Sequence, residues 1–303
     1  MPEEPASPTT ESFSAEHANL DQLDTLEVVL ALVNDQAQAV QAVLKAAPAI
    51  AKAADLAVER LKRGGRLIYA GAGTSGRLSF LDAAELTPTF SWPRDRARVL
   101  MAGGDGAIVR AVEGAEDNLE QGKFDAFALK IAANDSVIGI AASGNTPYVL
   151  GVLEVARGAG ALTIGISCNP GTRVLAACEV PIPIITGAEV ISGSTRLKAG
   201  TAQKITLNSL SSAIMVRLHK VHGNLMVDVQ ATNSKLVDRA VRLTQRVTGA
   251  NEHDARLALA ASDWQVKTAS VMLLRHLDSR DAKQLLDEVQ GNLRRALEAV
   301  APG

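Results

Sequence analysis

The spacing of apolar residues changes twice along the chain. In its first part they recur at helical spacing, which predicts two successive helices between Leu23 and Arg63. The apolar positions are Leu26, Val29, Leu30, Val33, Val40, Val43 and Leu44. Two basic residues followed by a glycine pair, Gly64 and Gly65, predict that the second helix ends there.

The pattern then becomes a series of short apolar runs separated by helix-compatible segments. The runs are Arg66–Ala70, Arg98–Ala102, Ser136–Ala141, Ala161–Ser167 and Val180–Ile185. Strands that alternate with helices predict an α/β fold with a parallel sheet covered on both faces. Ligands of such sheets bind outside the carboxyl ends of the strands, so the turns that follow the strands are the first place to look for chemistry.

After the last strand the pattern is helical again. One long helix is predicted over Thr201–Val221, closed by His222-Gly223-Asn224. Residues 235–303 predict three or four shorter helices, with breaks at Gly249 and at Asp278-Ser279.

The predicted organisation has three parts. Residues 1–20 are rich in Ser, Thr, Glu and Pro, which is typical of a mobile arm. We therefore expect a mobile N-terminal arm (1–22), an α/β domain preceded by helices (23–233) and an α-helical C-terminal domain (234–303).

Composition narrows the class of protein. Of the 303 residues, 47% are hydrophobic and the net charge is −2, which excludes a disordered chain. Aromatic residues make up 3%, and there is no basic excess, so a nucleic-acid partner is not expected. The same scarcity argues against a lectin with an aromatic platform.

The cysteines, the histidines and the N-terminus bear on metal content and cellular location. Cys168 and Cys178 are ten residues apart, a spacing of no common zinc or redox motif, and the histidines show no metal-ligand pattern. We expect neither a metal nor a cofactor. The N-terminus has no basic region followed by an apolar run, and no apolar stretch is long enough for a membrane span. A cytoplasmic protein without a membrane partner is expected.

The turn after the first strand carries the strongest chemical signal. It reads Gly71-Ala-Gly73-Thr74-Ser75-Gly76 and opens a helix. Glycines allow close approach of the backbone to a ligand, and a helix N-terminus offers free N–H groups, so this turn predicts a phosphate cradle.

Two alternatives for this turn stay open. The spacing also fits the dinucleotide fingerprint, but the acidic residue expected about 20 positions on is missing. The nearest candidate at a strand end, Asp105, is 34 residues from Gly71. The glycines are alternatively needed only for tight packing.

A second polar turn, Ser143-Gly144-Asn145-Thr146, follows the third strand and precedes a helix. Alone it is an ordinary helix N-cap. Together with the first turn, it predicts that two hydroxyl-rich loops converge on one phosphate.

Three further segments hold candidate site residues. Glu85 is predicted to lie where the helix that starts near Ser75 ends, because Pro88 follows. The run Glu113–Asp117 places three acids in five residues. The polar loop Ser192–Lys204 includes Lys198 and is either a solvated cap or a wall that contacts a sugar.

Four separated motifs resemble those of the N-acetylmuramic acid 6-phosphate etherase family. They are Gly71–Arg77 with Leu81–Glu85, Ala111–Asp117, Gly139–Tyr148, and Ser192–Lys204 with Gly223–Val229. The resemblance covers about residues 20–300 and implies a sugar isomerase (SIS) fold, a three-layer αβα sandwich around a five-stranded parallel sheet. It also implies an α-helical C-terminal bundle, similar to a ubiquitin-associated domain around Thr248–Leu277, and a homodimer.

The family reaction, by this resemblance, cleaves the D-lactyl ether at carbon 3 of the sugar phosphate in peptidoglycan recycling. One carboxylate removes the carbon 2 proton of the open-chain aldehyde, and a second carboxyl group protonates the departing ether oxygen. Water then adds at carbon 3, giving N-acetylglucosamine 6-phosphate and D-lactate. No metal or other cofactor is required.

The resemblance assigns roles to residues of this chain. Glu85 matches the proton donor and Glu116 the base, which leaves Glu113 outside the reaction. Substrate binding is assigned to Gly73, Thr74, Ser75, Ser143, Gly144, Asn145, Thr146 and Lys198.

Two departures from the family pattern affect these expectations. Thr10-Glu11 is followed by Ser-Phe-Ser instead of the usual Asn, which puts a substrate role of the arm in doubt. Leu86-Thr87-Pro88-Thr89 replaces Cys-Pro-Pro-Thr, but Glu85 is kept.

The distance along the helix bears on how Glu85 could reach the sugar. Ser75 and Glu85 are ten residues apart on one predicted helix, about 15 Å at the usual helical rise. We therefore expect a kinked helix end or the partner subunit to bring Glu85 to the sugar.

Two other functions remain possible at this point. A phosphosugar isomerase on the same fold also needs a base near carbon 2, but no acid for a leaving group. A phosphosugar sensor similar to glucokinase regulatory protein needs no catalytic residue at all.

Overall fold

The computed structural model describes residues 9–231 and 233–298. The chain divides into two compact units. Among the described residues, the first unit comprises those up to Ala84 together with Asp95–Ser211, and the second comprises Glu85–Arg94 together with those from Ser212 onward. The predicted bounds at 22 and 233 do not coincide with this division and stay a prediction.

The first unit begins with short 3-10 turns and two helices. The turns are Thr9–Glu11, Ala15–His17 and Leu20–Gln22, and the helices are α1 (Thr25–Asp35) and α2 (Ala37–Lys62). Asp24 and Glu27 close a capping box, because each side chain accepts a hydrogen bond from the backbone N–H of the other. The two helices predicted from the apolar spacing are confirmed.

Five parallel strands form the sheet. They are β1 (Leu67–Gly71), β2 (Ala97–Met101), β3 (Ser136–Ala141), β4 (Leu162–Ser167) and β5 (Val180–Pro183). The predicted strands are confirmed, with ends that differ by at most two residues. Strands β1, β3 and β4 are buried along their whole length, as expected for a sheet covered on both faces.

The strand order is β2-β1-β3-β4-β5, with every neighbouring pair parallel. The chain steps outward from β1 to β2 and then returns to the other side of β1 to form β3. The direction of winding therefore reverses between β1 and β3. In open α/β sheets, a crevice forms at the carboxyl ends of the two strands where winding reverses.

Five helices follow or connect these strands. They are α3 (Gly73–Phe90), α4 (Leu119–Ala128), α5 (Pro147–Gly158), α6 (Arg173–Ala176) and α7 (Lys198–Arg217). Apolar side chains of α5, including Val149 and Leu153, are fully buried in the core beside β1 and β3. The long helix predicted from Thr201 is α7, which begins and ends a few residues earlier.

The expected end of α3 at Glu85 is wrong, because the helix continues to Phe90 with Pro88 inside it. A proline removes one N–H donor and disfavours helical geometry for its predecessor, but tertiary contacts override this. The turn after α3 supplies two hydrogen bonds to the last turn of this helix. The Ser91 N–H donates to the Thr87 carbonyl, and the Thr87 hydroxyl donates to the Trp92 carbonyl at 2.9 Å.

Five helices occur in the described part of the C-terminal region, where three or four were predicted. They are α8 (Ser234–Thr248), α9 (Glu252–Ala261), α10 (Val266–Arg275), α11 (Ser279–Glu288) and α12 (Leu293–Glu298). Both predicted breaks are confirmed: Gly249 ends α8 with φ of +75°, and the Asp278 side chain caps α11. Because the loops between these helices are short, the apolar pattern did not reveal how many helices there are. No helix in residues 9–231 and 233–298 is both long and apolar enough to cross a membrane.

Candidate active site

The turn between β1 and α3 is shaped by three glycines. A Cβ at Gly71 would lie 2.8 Å from the Gly76 nitrogen, and a Cβ at Gly76 would lie 2.1 Å from the Met101 sulfur. These two glycines are therefore needed for packing. Gly73 differs, because its φ is +52° and the space around it is open. Packing alone does not account for Gly73, which faces free space at the first turn of α3.

A cavity of about 240 Å³ lies beside this turn; we call it the strand-end cavity. Its lining residues belong to the ends of β1 and β2, to the first turns of α3 and to the segment that follows β2. They are Ala72, Gly73, Arg77, Met101, Ala102, Ala107, Ala111, Val112, Glu113, Gly114, Ala115 and Glu116. The cavity thus joins the glycine turn to the acidic run predicted from the sequence.

Glu113 and Glu116 are both exposed in this cavity. Gly114, with φ of +68°, turns the chain between them into the 3-10 turn Ala115–Asp117. Within the described residues, neither glutamate side chain has a hydrogen bond or an ion pair. Their carboxyl groups are therefore free to act on a bound molecule.

Ser75 is oriented into the protein rather than toward the cavity. It is buried, and its hydroxyl donates to the Gln203 side-chain oxygen at 2.9 Å. The Gln203 amide nitrogen is buried and has no partner among residues 9–231 and 233–298. Gln203, on α7, was not predicted as a site residue, since a glutamine inside a helix carries no distinguishing sequence signal.

The turn between β3 and α5 contains the second predicted group. The backbone N–H of Asn145 donates to the Ser143 hydroxyl at 3.3 Å, which tightens the turn. Thr146 precedes α5, but its side chain makes no capping hydrogen bond. An ordinary N-cap would accept a backbone hydrogen bond with its side-chain oxygen, and the Thr146 hydroxyl does not.

Gly144 fixes the path of this second turn. Its φ is +74°, and a Cβ there would lie 2.3 Å from both the Ser167 and the Thr172 hydroxyl oxygens. The Thr172 hydroxyl is buried and lacks a hydrogen-bond partner in the described part of the chain. Only glycine fits where the turn approaches these hydroxyls so closely.

Asn169, after β4, links this turn to the N-terminal arm and was not predicted. Its amide nitrogen donates to the Ala142 carbonyl at 3.0 Å and to the Thr10 hydroxyl at 2.9 Å. Its oxygen accepts from the Thr9 hydroxyl and the Thr10 N–H. Thr10 is fully buried, so the described start of the arm packs against the carboxyl edge of the sheet. The position of Asn169 directly after a strand was the signal available in the sequence.

Lys198 lies apart from the strand-end cavity. Its side chain is 2% exposed, and its ammonium group donates to Asp35, Gln38 and the Ala188 carbonyl at 2.8–3.1 Å. All three of its N–H donors are therefore used inside the protein. A substrate contact by Lys198 stays a prediction that would require release from Asp35.

Glu189 caps the start of α7 and was not predicted as a structural residue. Its carboxylate oxygens accept from the backbone N–H groups of Lys198 at 2.9 Å and Ala199 at 2.8 Å. Burial raises the pKa of Glu189 above its ordinary value, although these two donors and the Lys198 charge oppose the increase.

Asp82 holds α3 between β1 and α7. Its carboxylate accepts hydrogen bonds from Tyr69, Asn208 and Ser211 at 2.6–3.0 Å. Burial, together with the Asp82 charge, raises the pKa of the Tyr69 hydroxyl well above its usual range. Glu85, three residues further along α3, is exposed and belongs to the second unit.

Comparison with known proteins identifies the family. A relative from Deinococcus radiodurans, named N-acetylmuramic acid 6-phosphate etherase, is 55% identical and spans 95% of this chain and 94% of its own. Relatives of the same name from Streptomyces avermitilis and Serratia proteamaculans are 48% and 50% identical over 96% and 92% of this chain, and 94% of each relative is covered. The chain belongs to the N-acetylmuramic acid 6-phosphate etherase family.

Two domain models match parts of this etherase family member. The model of the glucokinase regulatory protein N-terminal SIS domain matches residues 49–157. The model of the C-terminal lid domain of glucokinase regulatory protein matches residues 223–272. The predicted SIS-type α/β fold with C-terminal helices is therefore confirmed.

The fold also occurs in a solved structure from another protein. It is a candidate phosphosugar isomerase involved in capsule formation from Bacteroides fragilis, with 21% identity and a TM-score of 0.50. The match covers 66% of the etherase family member and 95% of that chain. At this identity the likeness shows the fold alone.

Proposed function

We propose that this protein is an N-acetylmuramic acid 6-phosphate etherase, a carbon–oxygen lyase of peptidoglycan recycling. The observation that carries the proposal is the strand-end cavity, in which the free carboxyl group of Glu116 lies beside the Gly73 turn at the start of α3. A phosphate-binding helix start and an unpaired acid in one cavity are what the family reaction needs. Relatives with 48%, 50% and 55% identity carry the etherase name.

The reaction begins on the open-chain sugar. Glu116 removes the carbon 2 proton, which the carbon 1 aldehyde acidifies, and Glu85 protonates the ether oxygen at carbon 3. The carbon 3–oxygen bond breaks, D-lactate leaves, and a double bond forms between carbons 2 and 3. Water adds its oxygen to carbon 3 and a proton returns to carbon 2, giving N-acetylglucosamine 6-phosphate.

The 6-phosphate binds between the two polar turns where the winding of the sheet reverses. At the β1 turn, the backbone N–H groups of Gly73, Thr74 and Ser75 face the anion, aided by the partial positive charge of the α3 start. At the β3 turn, the residues are Ser143, Gly144, Asn145 and Thr146. Because Ser75 donates its hydroxyl proton to Gln203, its contribution is through the backbone.

An apolar surface on the first two helices supports the proposed homodimer. Large apolar side chains at positions i, i+3, i+4 and i+7 of α1 are 48–66% exposed, and two on α2 continue the row. They are Leu26, Val29, Leu30, Val33, Val40 and Leu44. A contiguous apolar stripe of this size on a helix face is typical of a subunit interface. A partner subunit also offers a route by which Glu85 reaches a site.

Oligomeric state tests this part of the proposal. Leu30→Glu places a charge in the stripe, so it should convert the dimer into a monomer in analytical ultracentrifugation. Glu27→Gln, on the same helix but at the capping box, is the matched control and should leave the mass unchanged. A monomeric wild-type protein at micromolar concentration would contradict the dimer.

The activity is tested by incubation with N-acetylmuramic acid 6-phosphate and assay for D-lactate. The wild type should release D-lactate and N-acetylglucosamine 6-phosphate in equal amounts, and one oxygen of solvent should appear at carbon 3. Glu85→Gln and Glu116→Gln should each slow release by about 10²-fold or more but still bind the product. Glu113→Gln is the control for charge in the same cavity and should retain turnover.

The assay also separates the other two functions. An isomerase would convert a phosphosugar without releasing lactate, and a sensor would bind one without converting it. Unchanged lactate release in both Glu85→Gln and Glu116→Gln would refute the residue assignment. The cytoplasmic location stays a prediction.

A further inference from the structure

The strand-end cavity presents an electrostatic problem for the proposed substrate. Glu113 and Glu116 line it, and the D-lactyl group brings a third carboxylate. Like charges at close range in a partly enclosed site repel strongly unless a cation lies among them. A specific site for this substrate therefore needs a positive group near the lactyl end.

Arg77 is the single cationic side chain among the residues that line the cavity. It lies on α3 four residues after Gly73, so both residues face the same side of that helix. Its Nε donates to the Ile108 carbonyl at 3.0 Å, which fixes the guanidinium against the segment after β2.

The rest of the Arg77 guanidinium is available. In the described residues, its two terminal nitrogens have no hydrogen-bond partner and no carboxylate within ion-pair distance. Arginine presents a planar set of donors that matches both oxygens of a carboxylate. The Nε of Arg77 is thus held by a hydrogen bond, whereas its two terminal nitrogens are available to pair with a carboxylate.

We propose that Arg77 binds the carboxylate of the D-lactyl group and selects lactyl-ether sugar phosphates over sugar phosphates that lack it. This inference rests on the proposed etherase function and adds a determinant of specificity to it. Phosphate and lactyl recognition then lie on the same helix, with Gly73 near one end of the sugar and Arg77 near the other.

The contact also affects the course of the reaction. After the ether bond breaks, the carboxylate leaves with D-lactate, and the remaining sugar phosphate no longer interacts with Arg77. Arg77 therefore contributes to binding of the substrate and not to binding of the product.

Substrate and product kinetics test the proposal together. In Arg77→Gln, kcat/KM for N-acetylmuramic acid 6-phosphate should fall by about 10- to 100-fold, the usual effect of losing a charge-assisted hydrogen bond. The inhibition constant of N-acetylglucosamine 6-phosphate should change less than about threefold, since Arg77 does not touch it. Arg77→Lys should lie between the wild type and Arg77→Gln.

A modified substrate isolates the charge. When the lactyl carboxylate is replaced by a carboxamide, the wild type should lose most of its kcat/KM, whereas Arg77→Gln should barely distinguish the two substrates. Arg110, in the segment after β2, is exposed and does not line the cavity. Arg110→Gln is therefore the matched control and should behave as the wild type.

Two results overturn the inference. If Arg77→Gln weakens substrate and product binding equally, Arg77 only supports the Ile108 segment. If Arg77→Gln discriminates carboxylate from carboxamide as well as the wild type does, another group binds the carboxylate. Failure of the etherase function itself is distinct, because the wild type would then release no D-lactate.

Discussion

Two segments after the sheet's carboxyl edge carry acidic residues with opposite surroundings. The segment after β2 places Glu116 in the strand-end cavity, exposed and without a partner among the described residues. The segment after β5 places Glu189 fully out of solvent, where it accepts the first two N–H groups of α7. Beside it, Lys198 is equally buried and is bonded to Asp35.

The difference separates acids that stabilise the fold from acids that are free to react. A buried carboxylate must satisfy its oxygens inside the protein, and Glu189 does so with backbone donors that would otherwise be unpaired. An exposed carboxylate in a cavity keeps its oxygens for a ligand. The presence or absence of such partners therefore separates Glu113 and Glu116 from Glu189.

The largest effect is expected from Glu116→Gln. The amide keeps the shape of the side chain but cannot accept the carbon 2 proton, so kcat should fall by about 10²- to 10⁴-fold. Because Glu116 has no partner to lose, the melting temperature should stay within about 1 °C of the wild type, as for other exposed substitutions. D-lactate release and thermal unfolding measure the two effects. A large loss of stability would show that Glu116, like Glu189, supports the fold.

Lys198→Met should give the largest loss of stability. It leaves the Asp35 carboxylate buried without its cation, a change that typically costs about 3–5 kcal/mol. The free energy of unfolding in urea measures this loss. Lys204→Met, at an exposed position of the same helix, is the control and should be neutral. A stable Lys198→Met variant with a raised KM would instead favour the substrate contact predicted from the sequence.

Glu189→Ala should be less severe. It leaves the N–H groups of Lys198 and Ala199 without acceptors, which costs about 1–3 kcal/mol. Turnover per folded molecule should remain within a few-fold of the wild type, because Glu189 does not line the strand-end cavity. Urea unfolding and active-site-normalised turnover check this. Loss of turnover without loss of stability would place Glu189 in the reaction.

The smallest expected effect is a pH dependence of the free energy of unfolding. Burial holds the pKa of Glu189 above its ordinary value of 4.5, so the folded state keeps a proton that the unfolded state has released. The free energy of unfolding contributed by Glu189 should therefore fall as the pH rises from 4.5 through the folded-state pKa. Unfolding of the wild type and of Glu189→Gln, compared at several pH values, measures this. Parallel pH curves for the two proteins would contradict the shift.

Local pattern was sufficient for much of the fold. The five strands, the first two helices and the breaks at Gly249 and Asp278 follow from apolar spacing and turn chemistry, which act over a few residues. The glycine turn after β1 and the acidic run after β2 were likewise visible, since parallel strands bring such turns to one edge. The roles proposed for Glu85 and Glu116 come from the family motifs.

Partners distant in sequence were not predictable in the same way. Ser75 and Lys198 look like ligand-binding residues in their local sequence, yet Ser75 bonds to Gln203 and Lys198 to Asp35, each more than 100 residues away. Asn169 carried no motif, although it joins the N-terminal arm to the β3 turn. Pairings of this kind depend on how the helices pack on the sheet.

The amino-acid pattern is enough to predict an α/β sheet with polar turns at its carboxyl edge, together with the family to which those turns belong. The spacing of apolar residues, the chemistry of turns and the signals at helix ends are all local, so they can be recognised in a single sequence. Which polar side chains already have hydrogen-bond partners, and which stay free, depends on tertiary packing. That outcome depends on burial: a buried polar group must find a partner wherever the fold brings one, whereas Glu116 and the end of Arg77 remain open in the cavity.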